Sequence, residues 1–214
     1  MRRLYDTLFA TYGPQHWWPA DSLPELMIGA ILVQNTAWQQ VEQVIQNLKQ
    51  ADHLSLADIR HLPAETWWHW LRPVGFFRVK YQRLKAFADF MALYDDQPER
   101  LFRQETQPLR QTLLAIPGIG KETADAILCY GAQRPIFVVD TYAQRLFARL
   151  EWCTATASYD TIQARVHAAL PADWVILGEL HALIVQHGKN HCRKQAHCPG
   201  CPLHFCPAWK RDGR

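Results

Sequence analysis

Leu113-Leu114-Ala115-Ile116-Pro117-Gly118-Ile119-Gly120-Lys121-Glu122-Thr123-Ala124-Asp125-Ala126-Ile127-Leu128 is the stretch on which the reading of this chain turns. Apolar residues recur at helical spacing on both sides of Pro117-Gly118-Ile119-Gly120, so it reads as helix, glycine hairpin, helix. Two glycines around one apolar residue let the backbone turn sharply, send Ile119 inward and leave N–H groups at the start of the second helix facing an anion. A nucleic-acid phosphate suits such a place, where it would supply affinity and register without reading sequence. A tight helix junction with no ligand suits the same residues. An ATPase does not, because Gly118 to Thr123 lacks both the glycine spacing and the Gly-Lys-Ser/Thr ending of a phosphate loop.

Outward from the hairpin the pattern stays helical. Leu26, Ile28, Ile31, Leu32, Val41, Val44, Ile45 and Leu48 predict two helices between Leu23 and Leu48, joined at a polar corner of Gln34, Asn35 and Thr36. That corner carries enough hydrogen-bonding groups to read a base edge, and it is equally ordinary turn chemistry. Further helices are predicted over 64–71, 79–94, 109–116, 121–130, 142–150, 158–170 and 171–187, the last with Pro171 in its first turn. Ile136-Phe137-Val138-Val139 has the composition of a strand, but four residues support no sheet-based fold. The 214 residues, 49% of them hydrophobic, suffice for one globular unit or two small lobes and argue against disorder. A formal charge of +3 decides nothing about partners. No apolar run reaches membrane-spanning length, and Met1-Arg2-Arg3 leads into an amphipathic segment, so a soluble, cytoplasmic protein is expected.

Four of the six cysteines, Cys192, Cys198, Cys201 and Cys206, crowd into the last twenty-three residues. With no export signal, the crowding points to metal or cluster ligation rather than to disulfides. Four thiolates on one short segment suit a four-iron cluster or a tetrahedral zinc. Cys129 and Cys153 read as buried small hydrophobes.

Taken with Val138-Val139-Asp140-Thr141, Arg145 and His187-Gly188-Lys189, the hairpin resembles the helix-hairpin-helix DNA glycosylases of the endonuclease III superfamily. The resemblance runs through nearly the whole chain. Trp17-Trp18-Pro19, Gln34-Asn35-Thr36, Arg72-Pro73-Val74-Gly75-Phe76 and Gly120 to Tyr130 look most like the type III 3-methyladenine DNA glycosylases. It implies an all-α, two-lobed fold: a six-helix domain over 16–134 that contains the hairpin, and a discontinuous domain of 1–15 and 135–214 that carries a C-terminal [4Fe-4S] cluster on the four cysteines. Their spacing, x5, x2 and x4, is one residue short of the family's in the first and third intervals. The resemblance also implies a monomer that bends damaged double-stranded DNA and flips the damaged nucleotide out.

Site residues follow from the same resemblance. Cleaving an N-glycosidic bond builds positive charge on the sugar, and Asp140 is the carboxylate placed to stabilise that charge or orient water. Capping the helix after it is its other role, and the two are compatible. Endonuclease III carries at the position of Glu122 a lysine that forms a Schiff base with the sugar; a carboxylate forms no imine, and Lys121 next to it points about 100° away around the helix. A monofunctional enzyme that uses water is therefore expected. Gly118, Ile119, Gly120, Lys121, Thr123 and Lys189 are the expected backbone-binding residues, with Lys189, Arg193, Lys194, Lys210, Arg211 and Arg214 as a basic patch. Trp17, Trp18 and Trp38, from nine tryptophans in all, are expected with Gln34 and Glu122 to line the base pocket or wedge the DNA; stacked indoles favour a cationic alkylated purine. The leading expectation is hydrolytic release of bases such as 3-methyladenine. Its competitors are a glycosylase/lyase of damaged pyrimidines, adenine removal opposite oxidised guanine, and a noncatalytic damage sensor.

Overall fold

The computed structural model describes residues 1–212 and side chains as far as Trp209. Lys210, Arg211 and Arg214 of the expected basic patch lie outside the described side chains. Helices account for the regular structure, and two compact units divide the chain: Met1–Trp17 with the residues from Gln133 onward, and Trp18–Ala132. No helix among the described residues is long and apolar enough to cross a membrane.

In the unit formed by Trp18–Ala132, α2 (Leu23–Leu32) is the central element. Ser22 caps it by accepting from the Glu25 amide, Pro24 sits in its first turn, and the residues from Glu25 to Leu32 are all buried. A helix apolar on every side has to be surrounded. It packs against α3 (Trp38–Gln50), α6 (Phe77–Met91) and the turn at Ile127–Gly131. On α3 the buried positions are Val41, Val44, Ile45 and Leu48, the expected stripe. Between α3 and α6 run α4 (Leu56–His61), capped by Ser55, and α5 (Ala64–Leu71), whose Trp67 is fully buried and donates to the Asp58 carbonyl at 3.2 Å. After α7 (Pro98–Leu101), α8 (Thr106–Leu114) leads into the hairpin and α9 (Lys121–Ala126) leaves it. The pattern predicted an unbroken helix to Tyr130; Ile127–Gly131 instead widens into one π-helical turn. Arg110 on α8 makes two hydrogen bonds, 2.6 and 2.9 Å, to the Asp125 carboxylate on α9. This buried pair ties the two helices that flank the hairpin.

The other unit is built on α1 (Arg2–Tyr12), α10 (Thr141–Arg149), α11 (Tyr159–Ala169) and α12 (Trp174–Asn190), with α13 (Pro207–Asp212) at its end. Leu4 and Leu8 of α1 and Leu146 and Phe147 of α10 join Leu180, Leu183 and Ile184 of α12 in its core. Pro171 does not open α12: the Asp173 side chain caps it by accepting from the Val175 amide at 2.8 Å. Residues 136–139 are extended and buried without a strand partner. Side chains of α11 satisfy that backbone instead, as buried peptide groups require. Phe137 N–H donates to His167 Nε2 at 3.0 Å, Gln163 Nε2 donates to the Phe137 carbonyl at 2.8 Å, and Val139 N–H donates to the Tyr159 hydroxyl at 3.3 Å.

The C-terminal segment corrects the expected cofactor. Among the described residues no group of three or more His, Cys, Asp or Glu side chains is placed to hold a metal ion. The [4Fe-4S] cluster loop and its alternative, zinc, are therefore withdrawn, and Cys192, Cys198, Cys201 and Cys206 are buried cysteines that form no disulfide. Three of the sulfurs face two protein partners, Arg149 and His187. Cys192 Sγ accepts from Arg149 Nη1 at 3.0 Å, Cys206 Sγ donates to the Arg149 carbonyl at 3.6 Å, and Cys201 Sγ lies 3.9 Å from His187 Nε2. Cys192, Cys201 and Cys206 pack into the hydrophobic core of the unit, and all four cysteines border an apolar cavity with Leu146, Leu203 and Ala208. Clustering in the sequence reflects the packing of small, soft side chains under a short loop.

Candidate active site

Asp140 stands at the end of the extended segment that α11 holds, and it is the N-cap of α10. Its Oδ1 accepts from the Ala143 amide at 2.7 Å, and the side chain is nearly buried. Oδ2 lies 3.6 Å from Nε2 of His181, itself buried on α12. One carboxylate oxygen thus fixes the side chain to its helix while the other faces His181. Two turns further along α12, His187 is within 3.0 Å of the Tyr12 hydroxyl, and burial, with His191 adding to it, lowers its pKa to about 4. It is a neutral packing residue at physiological pH. Gly188 follows because a Cβ there would run into the ring of Tyr142. Lys189 is exposed, its ammonium 5.9 Å from the centre of the Trp17 ring.

In the other unit Gly118 takes a φ of +87°, which a side chain would strain, and Ile119 points inward as expected. Gly120 caps α9 without a side-chain bond, and Lys121 and Glu122 are both exposed in the first turn. Thr123 is buried, and its hydroxyl accepts from Gln34 Nε2 at 2.8 Å. The same Gln34 nitrogen donates to the Gly118 carbonyl at 3.1 Å, while Arg83 Nη1 donates to Gln34 Oε1. Both ends of the Gln34 amide are engaged within the protein. Trp18 and Trp38 meet edge to face, ring centres 5.1 Å apart and planes at 86°, with Tyr130 5.7 Å from Trp18. Both rings lie against Gly29 and border an open cleft of about 350 Å³ that also holds Glu25, Glu42 and Lys49. Trp17 belongs to the other unit.

Two residues escaped the sequence reading. Lys80 is almost fully buried on α6 and donates to the carbonyls of Leu32 and Val74, at 2.8 and 2.7 Å, and to the Thr36 hydroxyl. Burial, with Arg83 nearby, lowers its pKa to about 8. As one of several basic residues on a mixed helix, it had no signal to separate it from a solvated one. Phe76 is 76% exposed with a left-handed φ of +44°. The signal was there in Gly75-Phe76-Phe77, a turn residue followed by two aromatics that cannot both enter a helix core.

Residues 28–172 match the model of the HhH-GPD superfamily base excision DNA repair proteins. The chain belongs to the HhH-GPD superfamily. A relative in Methanocaldococcus jannaschii, named "Putative DNA repair glycosylase MJ1434", is 42% identical over 207 residues, covering 95% of this chain and 94% of that protein. Among solved structures, a trapped endonuclease III–DNA covalent intermediate superposes with a TM-score of 0.83 at 24% identity, covering all of this chain and 97% of the other. A 3-methyladenine DNA glycosylase of H. pylori bound to 1,N6-ethenoadenine is 27% identical, with a TM-score of 0.72 over 88% of this chain and 94% of that one. The HhH-GPD protein is thus a DNA glycosylase with the two-lobed all-α fold. The narrower likeness to type III 3-methyladenine enzymes is corrected: the endonuclease III fold accounts for the whole chain, and the 3-methyladenine enzyme for less of it.

Proposed function

We propose that this protein hydrolyses the N-glycosidic bond of a damaged pyrimidine in double-stranded DNA and leaves an abasic site. The observation that carries the hydrolytic reading is Glu122, a carboxylate exposed in the first turn after the hairpin where a Schiff-base amine would be required; the carboxylate of Asp140 is fixed separately, in the other unit. Asp140 Oδ2 stabilises the positive charge that develops on the sugar and orients the attacking water. The pyrimidine reading is supported by the endonuclease III fold over the full chain and by the Trp18–Trp38 pair. Rings at 86° to each other do not form the parallel faces that would sandwich an alkylated purine.

Backbone contacts fall to the amides of Gly118 and Gly120 with Lys121, and to Lys189; the Ile119 amide is already used inside the hairpin, donating to the Ile116 carbonyl at 3.0 Å, and Thr123 supports the hairpin from inside through Gln34. Phe76 supplies an apolar wedge on a rigid turn, able to unstack a base step. Phe76→Ala is expected to slow base release by at least about tenfold at unchanged Tm, since the ring has little protein contact to lose. Equal rates would remove Phe76 from the DNA interface.

Duplexes carrying thymine glycol, uracil or 3-methyladenine distinguish the readings, with free base and strand breaks measured before and after alkali. Release of a pyrimidine, with breaks only after alkali and no complex trapped by borohydride, is the expected result. Release of 3-methyladenine alone would overturn the substrate class. Direct breakage with a trapped complex would overturn the hydrolytic step.

A further inference from the structure

The hairpin and the polar corner lie far apart in sequence; Gln34 of the corner bridges them directly, and a third element, α6, braces that bridge. Lys80 and Arg83 sit three residues apart on α6, on one face of that helix. Lys80 binds the end of α2 through the Leu32 carbonyl, the corner through the Thr36 hydroxyl, and the turn before Phe76 through the Val74 carbonyl. Thr36 also donates to the Val74 carbonyl at 2.7 Å. Arg83 holds Gln34 Oε1, Gln34 holds the Gly118 carbonyl and Thr123, and the Arg83 stem fills the space where a Cβ on Gly118 would have to go. Corner, turn and hairpin are therefore braced by two basic side chains that belong to none of the three.

We infer that Arg83 is a positioning residue: through the Gln34 amide it locks the hairpin to the corner, so that the surface gripping phosphate and the surface meeting the damaged nucleotide keep one fixed register. The inference rests on the glycosylase reading but is indifferent to which base is removed. A direct phosphate contact by Arg83 is the rival account. The guanidinium is only partly exposed and donates to Gln34, which sets it to align a neighbour rather than to meet a mobile phosphate.

Salt dependence separates the two, because losing a phosphate contact flattens the dependence of log K on log salt by about 0.9, whereas losing alignment leaves it unchanged. Binding of wild type, Arg83→Met, Gln34→Leu and the double variant is measured over a potassium chloride series. The probes are a duplex containing a tetrahydrofuran abasic-site analogue and its unmodified counterpart. Each single variant should lose preference for the abasic analogue by roughly tenfold, with the salt slope of the wild type, and the double variant should do no worse than either. A slope reduced by about one phosphate in Arg83→Met, losses that multiply in the double variant, or preference retained in both singles would overturn the inference. Gln34→Leu, at a half-exposed position, decides the matter should Arg83→Met fail to fold. A wild-type protein that binds both duplexes equally would instead overturn the glycosylase reading, which is visible before any variant is compared.

Discussion

Asp140→Asn is expected to lower single-turnover base release by at least about 100-fold while changing stability by less than about 1 kcal/mol. The two effects separate because the two carboxylate oxygens do different work. Asparagine keeps an oxygen that can accept from the Ala143 amide, now 2.7 Å from Oδ1, so α10 stays capped. It loses the negative charge that faces the developing positive sugar, and that charge has no replacement in the amide. Asp140→Ala removes both functions and should cost about a further 1 kcal/mol in unfolding experiments. If Asp140→Asn released base within threefold of wild type, Asp140 would be a helix cap alone.

The largest stability effect is expected at Arg110. Asp125 is fully buried, and its carboxylate takes two hydrogen bonds from the Arg110 guanidinium. Arg110→Met leaves that carboxylate without its counter-charge in a low-dielectric interior and should destabilise the protein by about 3–5 kcal/mol in urea unfolding. Arg110→Met combined with Asp125→Leu should recover most of the loss, because the cost lies in the abandoned charge rather than in the missing attraction. A single variant that stays within about 1 kcal/mol of wild type would show that the buried carboxylate is stabilised by other groups. The pair joins α8 to α9 across Pro117–Gly120, so weaker DNA binding should accompany the instability.

Local chemistry made some of this fold readable in advance. The glycine hairpin, the stripe on α3 and the capping role of Asp140 depend on residues close together in the chain, where spacing and side-chain type act directly. Residues 136–139 had the apolar composition of a strand, yet their backbone is held by Tyr159, Gln163 and His167 from a later helix, which no local pattern reveals. Gln34 is expected, from the family resemblance, to border the flipped base or fill space in the DNA; that Arg83 and the hairpin, distant in sequence, engage its amide is a contact no local pattern reveals. The cysteines misled for a related reason. Spacing restricts which thiols can meet, but packing decides which way each sulfur turns, and here Arg149 takes two of them. Trp17, Trp18 and Trp38 are expected together in the base pocket; Trp18 and Trp38 meet edge to face beside Gly29, an arrangement that spacing along the chain does not specify.

The cap on α10 also turns one amide into a gauge. Ala143 N–H is bonded to the Asp140 carboxylate, so any motion that swings Asp140 off its rotamer must first free that proton to solvent. Slow hydrogen exchange at Ala143 therefore records how much of the time that carboxylate, the proposed catalytic group, is aligned. An inhibitor or a substitution at His181 that disturbs the alignment would announce itself there in the resting enzyme, before any DNA is added.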